Sequence, residues 1–138
     1  PAPAQKKADF SEVRILLVED QEINRQIETK ILSRAGFRIE YAENGRVAVD
    51  KISASEPGYY QIVLMDINMP EMNGYEAAQA IRALPDPALS SVPIVAMTAN
   101  AFHEDIQKAH DCGMNDHIAK PIEIPRMMEV LTRILGSS

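Results

Sequence analysis

The sequence predicts an α/β fold in which five strands form one parallel sheet with helices on both of its faces. Short apolar runs alternate along the chain with segments whose apolar residues recur every three or four positions, the spacing of a helix face. Five such strand–helix pairs follow one another, and repeated βα units build a parallel sheet between two layers of helices. The 138 residues amount to one average domain, so a single domain over 13–136 is expected.

The predicted strands differ in character, and these differences predict their order in the sheet. The runs 15–18, 62–65 and 94–97 are apolar throughout, as strands at the centre of a parallel sheet must be. The segment 38–42 alternates polar and apolar residues, and 116–119 is short and polar, so both are expected at the edges. The predicted order is therefore 2-1-3-4-5, the flavodoxin-like doubly wound arrangement.

Five helices are predicted between and after these strands. Ile23, Ile27 and Ile31 are spaced four apart and define a face of the first helix, and Asn44 is expected to cap the second. The other three are marked by apolar residues at helical spacing: Ala77, Ile81 and Leu84; Phe102, Ile106 and Ala109; and Met127, Leu131, Ile134 and Leu135. The segment 84–93 contains three prolines and is predicted to be a loop.

The composition excludes several classes of protein. The 20 acidic and 14 basic residues give a formal net charge of −6, which argues against binding to the phosphates of nucleic acids. The single cysteine, Cys112, excludes a disulfide framework and a multi-cysteine zinc site. No apolar run approaches the roughly 20 residues of a membrane span and no export signal is seen, so a cytoplasmic domain without membrane contact is expected. Residues 1–12, rich in proline and alanine, are expected to be a linker or cloning residues.

Polar side chains follow four of the predicted strands at the point where each strand ends. Glu19 and Asp20 follow the first strand, Asp66 the third, Thr98 the fourth and Lys120 the fifth. Because the carboxyl ends of parallel strands meet at one edge of the sheet, these side chains are expected to converge there. Three carboxylates at one place repel one another unless a cation lies among them, and Mg²⁺ is the natural occupant, with Mn²⁺ as an alternative.

A cation, an ammonium group and a hydroxyl at one edge together describe a cradle for a phosphoryl group. The turn after the first strand, 18–22, contains no glycine of the kind that binds nucleotide phosphates. The phosphoryl group is therefore expected to become attached to the protein itself, since a carboxylate can act as a nucleophile and form an acyl phosphate. Asp66, at the end of the central strand, is the candidate phosphoacceptor.

Four motifs resemble the receiver domain of two-component response regulators, and the resemblance extends over about 14–135. The motifs are Glu19-Asp20, the segment 64–74 (LMDINMPEMNG), the segment 96–99 (AMTA) and Lys120-Pro121. The resemblance implies that Asp66 accepts a phosphoryl group from a phosphohistidine on a histidine kinase or a histidine phosphotransfer domain. It also implies that Glu19 and Asp20 hold Mg²⁺ together with Asp66 and the backbone carbonyl of Asn68.

The same resemblance implies roles for residues around the phosphoryl group. Lys120 and the backbone of Ala99 would bind its oxygens, and Thr98 would move to bond it, as one part of a conformational switch. The family usually has tyrosine or phenylalanine three residues before the lysine, whereas this chain has His117, a smaller ring that can be charged near pH 6.5. Asn68 and Asn100 stand where family precedent places residues that tune the lifetime of the acyl phosphate.

A finer resemblance concerns the larger protein. The segments 22–25, 97–101 and 113–121 are similar to receivers fused to hybrid sensor histidine kinases, so this context is expected. The first helix, with Ile23, Asn24 and Ile27 near the active edge, would dock the phosphotransfer partner, and the domain would be a monomer or weak dimer. The isolated domain would catalyse its own phosphorylation and dephosphorylation rather than turn over a substrate.

Three alternatives to this reading remain open. In the first alternative, the chain is a stand-alone response regulator. In the second, it is a receiver that acts by docking without phosphate, and His117 supports this alternative. An aspartate-nucleophile phosphatase is the third, but that class needs a second aspartate two residues after the nucleophile, where this chain has Asn68.

Overall fold

The computed structural model describes residues 13–67, 69, 72–98, 103–120 and 122–136, with the backbone alone for 103–105 and 136. The strands in this part of the chain are β1 Arg14–Val18, β2 Arg38–Ala42, β3 Ile62–Asp66, β4 Ile94–Thr98 and β5 Asp116–Ala119. The helices are α1 Glu22–Arg34, α2 Gly45–Ala54, α3 Gly74–Arg82, α4 Pro87–Ser90, α5 His103–Asp111 and α6 Ile124–Gly136. Residues 1–12, predicted to be a linker, lie outside the described residues.

The sheet has the predicted order. Its strands run β2-β1-β3-β4-β5, and every neighbouring pair is parallel. The apolar strands β1, β3 and β4 are at the centre and β2 and β5 are at the edges, as their sequences predict. Every residue of β3 and β4 is buried, because helices cover both faces of the sheet.

The short helix α4 corrects the sequence analysis, which predicts a loop over 84–93 and therefore five helices instead of six. Asp86 accepts a hydrogen bond from the backbone N–H of Ala88 at 2.9 Å and so caps the helix. Pro87 is its first residue, where a helix does not use the missing N–H. The prolines of this segment therefore limit the helix to one turn without preventing it.

Two apolar cores lie on the two faces of the sheet. One core packs α1 and α6 against one face of β1, β3 and β4. The helix residues buried in it include Leu32, Met127, Val130 and Leu131. The other core packs α2, α3 and α5 against the opposite face, through residues that include Ala48, Ile52, Ala77, Ile81 and Ala109. None of the helices in the described part of the chain has the length and apolar character needed to cross a membrane.

Of the three isoleucines on α1, only Ile31 packs against the core on the sheet. Ile23 is 71% exposed and Ile27 is 53% exposed, whereas the buried residues of this helix are Glu28 and Leu32. The helix is rotated so that the position four residues before Leu32 points inward, and an acid occupies that position. The first turns of α1 consequently present aliphatic side chains to solvent.

Candidate functional site

Three carboxylates converge at the carboxyl end of the sheet. Glu19 follows β1 and Asp66 ends β3, and these strands are neighbours with Val18 in register with Met65. Oxygen atoms of Glu19, Asp20 and Asp66 all lie within 4.8 Å of one another. Glu19 and Asp66 are buried, while Asp20 is half-buried. The structure thus brings together the three acids that the strand ends single out.

Lys120 lies against two of these acids. Its Nζ is 3.0 Å from Oε1 of Glu19 and 3.1 Å from Oδ2 of Asp66. The backbone N–H of Lys120 donates to the carbonyl oxygen of Thr98 at 2.8 Å, which fixes the lysine beside the end of β4. Thr98 itself is buried and stands in register with Ala119 on β5. All five predicted strand-end residues therefore lie along the same edge.

Burial and repulsion set the electrostatics of this edge. Burial, together with the charge of Glu19, raises the pKa of Asp66 to about 6, although Lys120 opposes the shift. Burial alone would lower the pKa of Lys120, but its hydrogen bond to Glu19 and the charge of Asp66 outweigh burial and raise it. The edge thus carries more negative charge than one ammonium group balances, and it favours an additional cation.

The backbone around Glu19 is held from several sides. Its N–H donates to the carbonyl oxygen of Ala42 at 3.1 Å, and its Oε2 accepts from the N–H of Gln21 at 3.2 Å. Arg25 on α1 donates from Nη1 to the carbonyl oxygen of Glu19 at 3.0 Å. The sequence analysis does not identify Arg25, because an arginine on an amphipathic helix carries no local sign of a backbone partner on another element.

Gly74 lies directly behind Asp66. A Cβ at position 74 would come within 2.5 Å of the carbonyl oxygen of Asp66 and 2.8 Å of the Cα of Ile67. The N–H of Gly74 donates to the carbonyl oxygen of Ile67 at 2.9 Å, so α3 begins in contact with the end of β3. Glycine allows this close approach, and the approach fixes the backbone that carries the candidate phosphoacceptor.

His117 is half-buried on β5. Burial lowers its pKa below the usual value, and the nearby charge of Arg126 lowers it further. Its N–H donates to Oδ1 of Asp116 at 2.8 Å, and its carbonyl oxygen accepts from Arg126 at 3.4 Å. The imidazole therefore gains its charge at a lower pH than the free side chain does.

The remaining predicted residues lie outside the cluster of acids or outside the described residues. Ile23 and Ile27 are exposed on α1, and Asn24 is half-buried between them. Asn68, Ala99 and Asn100 lie outside the described residues, as does Pro121.

Glu28 is a functional candidate that the sequence analysis missed. It is 6% exposed on α1, and its Oε1 has no hydrogen-bond partner among the residues described. Burial raises its pKa to about 8, the charges of Glu19 and Asp66 contribute to the shift, and Lys120 opposes it. No local sequence pattern marks Glu28, because its burial depends on which face of α1 packs on the sheet.

The donor set fits a hard divalent cation. Carboxylate oxygens are the ligands that Mg²⁺ prefers in proteins, and it commonly uses only one or two of them beside water and phosphate oxygens. The acids lie close enough to share one ion, since their oxygens are within 4.8 Å of one another. Lys120 and Thr98, which lie along the same edge, suit the binding of an anionic group next to that cation.

Comparison with known proteins identifies relatives along nearly the whole chain. The family model described as the response regulator receiver domain matches residues 15–132. Hybrid signal transduction histidine kinase B of Dictyostelium discoideum is 42% identical over 119 residues, which are 80% of this chain and 6% of that protein. Sensor histidine kinase RcsC of Escherichia coli is 32% identical over 132 residues, which are 96% of this chain and 13% of that protein. The chain thus spans only a small part of these kinases.

Solved structures agree with this relationship. The receiver domain of a sensor histidine kinase from Pseudomonas aeruginosa PAO1, with a magnesium ion coordinated in its active-site cleft, is 35% identical; its TM-score is 0.80, and the match covers 91% of this chain and 98% of that one. A chain in the co-crystal structure of a Saccharomyces cerevisiae histidine phosphotransfer protein with the receiver domain of its downstream response regulator is 30% identical; its TM-score is 0.78, and the match covers 89% and 88%. The family match, the sheet order and the five strand-end residues agree, and this chain belongs to the response regulator receiver domain family of two-component signalling.

Proposed function

We propose that this chain is a phosphoacceptor in a two-component phosphorelay and that Asp66 carries the phosphoryl group. The observation that carries the proposal is the position of Lys120, whose Nζ contacts both Glu19 and Asp66 beside three converging carboxylates. Asp66 is the acid that ends the central strand β3, and its backbone is fixed by the start of α3. This arrangement presents one carboxylate to an incoming phosphoryl group and charges that bind it.

The transfer takes place at Asp66. An oxygen of the Asp66 carboxylate attacks the phosphorus of a phosphohistidine, so a P–O bond forms while the P–N bond breaks and the electron pair returns to the imidazole. Lys120 exchanges a carboxylate contact for one with the phosphoryl oxygens, and the backbone N–H of Ala99 adds a second donor. Glu19, Asp20, Asp66 and the backbone carbonyl of Asn68 would hold Mg²⁺, which when bound would supply positive charge to the phosphoryl oxygens.

The phosphoryl group then changes the conformation of the domain. Thr98 is buried at the end of β4, and its hydroxyl would move to bond the phosphoryl group, drawing the following loop inward. His117 would take the place of the usual aromatic residue in this switch. Asn68 and Asn100 would set how long the acyl phosphate lasts.

The relatives support a proposal about the partner of this domain and about the larger protein to which it belongs. The relatives include hybrid signal transduction histidine kinases B and L of Dictyostelium discoideum and sensor histidine kinase RcsC of Escherichia coli, so we propose that this domain is the receiver of such a kinase in the cytoplasm. A histidine kinase or histidine phosphotransfer domain would dock on α1 through Ile23, Asn24 and Ile27, and the yeast complex is a precedent for that class of partner. The unit is expected to cover 13–136 and to be a monomer or weak dimer.

The proposal is tested by labelling with a small acyl-phosphate donor. The native chain is expected to gain one acid-labile, base-labile phosphoryl group that depends on Mg²⁺, and Asp66→Asn is expected to gain none. Asp50→Asn, which alters an exposed acid on α2, is the matched control and should label like the native chain. An acid-stable label, or label that persists in Asp66→Asn, would overturn the proposal.

A further inference from the structure

Glu28 is a buried acid that the phosphoryl site does not use. Its side chain is 6% exposed, and Oε1 has no hydrogen-bond partner among the residues that the structure describes. Leaving a buried polar atom unpaired costs free energy, and more when the group is charged. A donor from outside the chain would recover that free energy, so the surroundings of Glu28 indicate what such a donor must look like.

Glu28 lines a cavity of about 340 Å³ between α1 and the residues that follow β5. The other residues that line it are Asn24, Ile27, Ile31, Lys120 and Ile122. Three of these are isoleucines, so the cavity combines aliphatic walls with the acid Glu28 and the base Lys120. An aliphatic stem that ends in a cation matches this combination, and lysine and arginine side chains have that form.

The cavity adjoins the surface over which a phosphodonor must come. Lys120 belongs both to the cavity and to the phosphoryl site, where it contacts Asp66. The exposed Ile23 and Ile27 continue the same side of α1. A protein that brings a phosphohistidine to Asp66 therefore lies over the cavity and has a side chain within its reach.

Charge favours a cation over other occupants. Glu19 and Asp66 stand close enough to Glu28 to disfavour its ionised form, while Lys120 opposes them. An incoming positive charge would be attracted by the acids and repelled by Lys120, and because the acids outnumber this one ammonium group, it would let Glu28 ionise as its counter-ion. A neutral or anionic group would gain no comparable attraction at this position.

We propose that this cavity receives a lysine or arginine side chain of the phosphodonor protein, with Glu28 as its counter-ion, and that this contact selects the partner. The inference rests on the proposed function, since it concerns the protein that phosphorylates Asp66. Glu28 is a residue that binds the partner and has no part in the chemistry at Asp66.

The test measures phosphotransfer from a protein donor over a range of donor concentrations. The donor is the histidine phosphotransfer protein or kinase of the same organism that phosphorylates the native chain fastest. Glu28→Gln and Glu28→Met are both expected to raise KM by at least about tenfold, because each removes the counter-ion, while kcat changes little. Glu56→Gln is the matched control, since Glu56 is exposed and lies before β3 at the other end of the sheet. An unchanged KM in both Glu28 variants would overturn the inference.

A double-mutant cycle identifies the cation. Each exposed lysine or arginine of the donor's docking surface is changed to methionine and assayed with the native chain and with Glu28→Gln. One of these changes is expected to raise KM with the native chain and to have no further effect with Glu28→Gln. Strictly additive effects at every position would overturn the inference. Failure of both protein and small donors to label Asp66 would instead overturn the proposed function, and this inference with it.

Discussion

The ammonium group of Lys120 lies 3.0 Å from Oε1 of Glu19, so the residue that follows β5 is bound to the residue that follows β1. These residues are 101 positions apart in the chain, and β3 and β4 lie between their strands in the sheet. The contact therefore crosses the edge of the sheet in front of Asp66, to which the same ammonium group is 3.1 Å away. One side chain thus links three strand ends, and its removal should affect both stability and chemistry.

Replacing Lys120 with methionine is expected to lower the free energy of unfolding by about 2–3 kcal/mol at pH 7, because two buried carboxylates lose their counter-ion. The loss should be smaller at pH 5, since the pKa of Asp66 is already raised to about 6 and a protonated Asp66 no longer repels Glu19. Urea unfolding at the two pH values measures both effects. The exposed Lys30 provides the control, and Lys30→Met should unfold like the native chain; an equal loss in both variants would contradict the prediction.

Replacing Gly74 with alanine is expected to lower the free energy of unfolding by about 1–3 kcal/mol and to slow labelling of Asp66, because the new Cβ forces the backbone of β3 to move. That Cβ would lie 2.5 Å from the carbonyl oxygen of Asp66. Gly58→Ala separates the two effects, since position 58 has open space around it but a φ of +86°. This control should be destabilised by about 1 kcal/mol through its backbone conformation, with its labelling rate unchanged. Normal labelling in Gly74→Ala would contradict the prediction.

The sequence predicts the sheet order and the convergence of the strand-end residues, because both depend on which residues end each strand. β3 and β4 are apolar throughout and are buried throughout, and the position of an acid or a hydroxyl after such a run is visible without a structure. Parallel strands bring their carboxyl ends to one edge whatever the details of packing. Asp66, Thr98 and Lys120 therefore meet as expected.

The residues that the sequence does not reveal depend on packing between distant elements. The isoleucines of α1 define one face of the helix in the sequence, but the helix is rotated so that Glu28 is buried and Ile23 is exposed. No local pattern states that rotation, since it follows from how Leu32 fits the core. The requirement for glycine at position 74 is likewise not visible in the sequence, because it arises from the close approach of the β3 backbone to this position.

Arg82 is a third residue of this kind, and its replacement by methionine is expected to lower the free energy of unfolding by about 2–4 kcal/mol. Its guanidinium group donates hydrogen bonds to four acceptors on the segments around α4 and before β5: the carbonyl oxygens of Ser90, Val92 and Gly113 and Oδ1 of Asn115. Methionine keeps the aliphatic stem but removes the donor from the three carbonyl oxygens, whereas Oδ1 of Asn115 still accepts from the N–H of Ile94 at 2.8 Å. Arg82→Lys should recover part of the loss, because lysine still supplies hydrogen-bond donors. The recovery should be incomplete, because these donors are fewer and have a different geometry.

Chemical denaturation of these two variants and of Arg46→Met measures the effect. Arg46 is exposed on α2, so its replacement should leave the free energy of unfolding within about 0.5 kcal/mol of the native value. If Arg82→Met unfolds at the same urea concentration as Arg46→Met, the hydrogen bonds of Arg82 do not stabilise this part of the fold.

The buried Glu28 should make the stability of the domain fall as the pH rises. Its pKa is raised from 4.5 to about 8, mainly by burial, so the folded state holds a proton that the unfolded state has lost between these values. The stabilising contribution is complete below pH 4.5 and disappears as the pH rises through 8, with a slope of up to about 1.4 kcal/mol per pH unit. Glu28→Gln cannot ionise, so this slope should be absent from the variant.

Urea unfolding of the native chain and of Glu28→Gln at intervals from pH 4.5 to 9 measures the difference. Asp66 also has a raised pKa and contributes a slope of the same sign, from 3.8 to about 6, but it is present in both proteins and cancels in the comparison. The variant should therefore become the more stable protein toward pH 8, where the native chain must ionise Glu28 beside Glu19 and Asp66. Parallel stability curves over this range would show that Glu28 ionises as easily in the folded domain as in the unfolded chain.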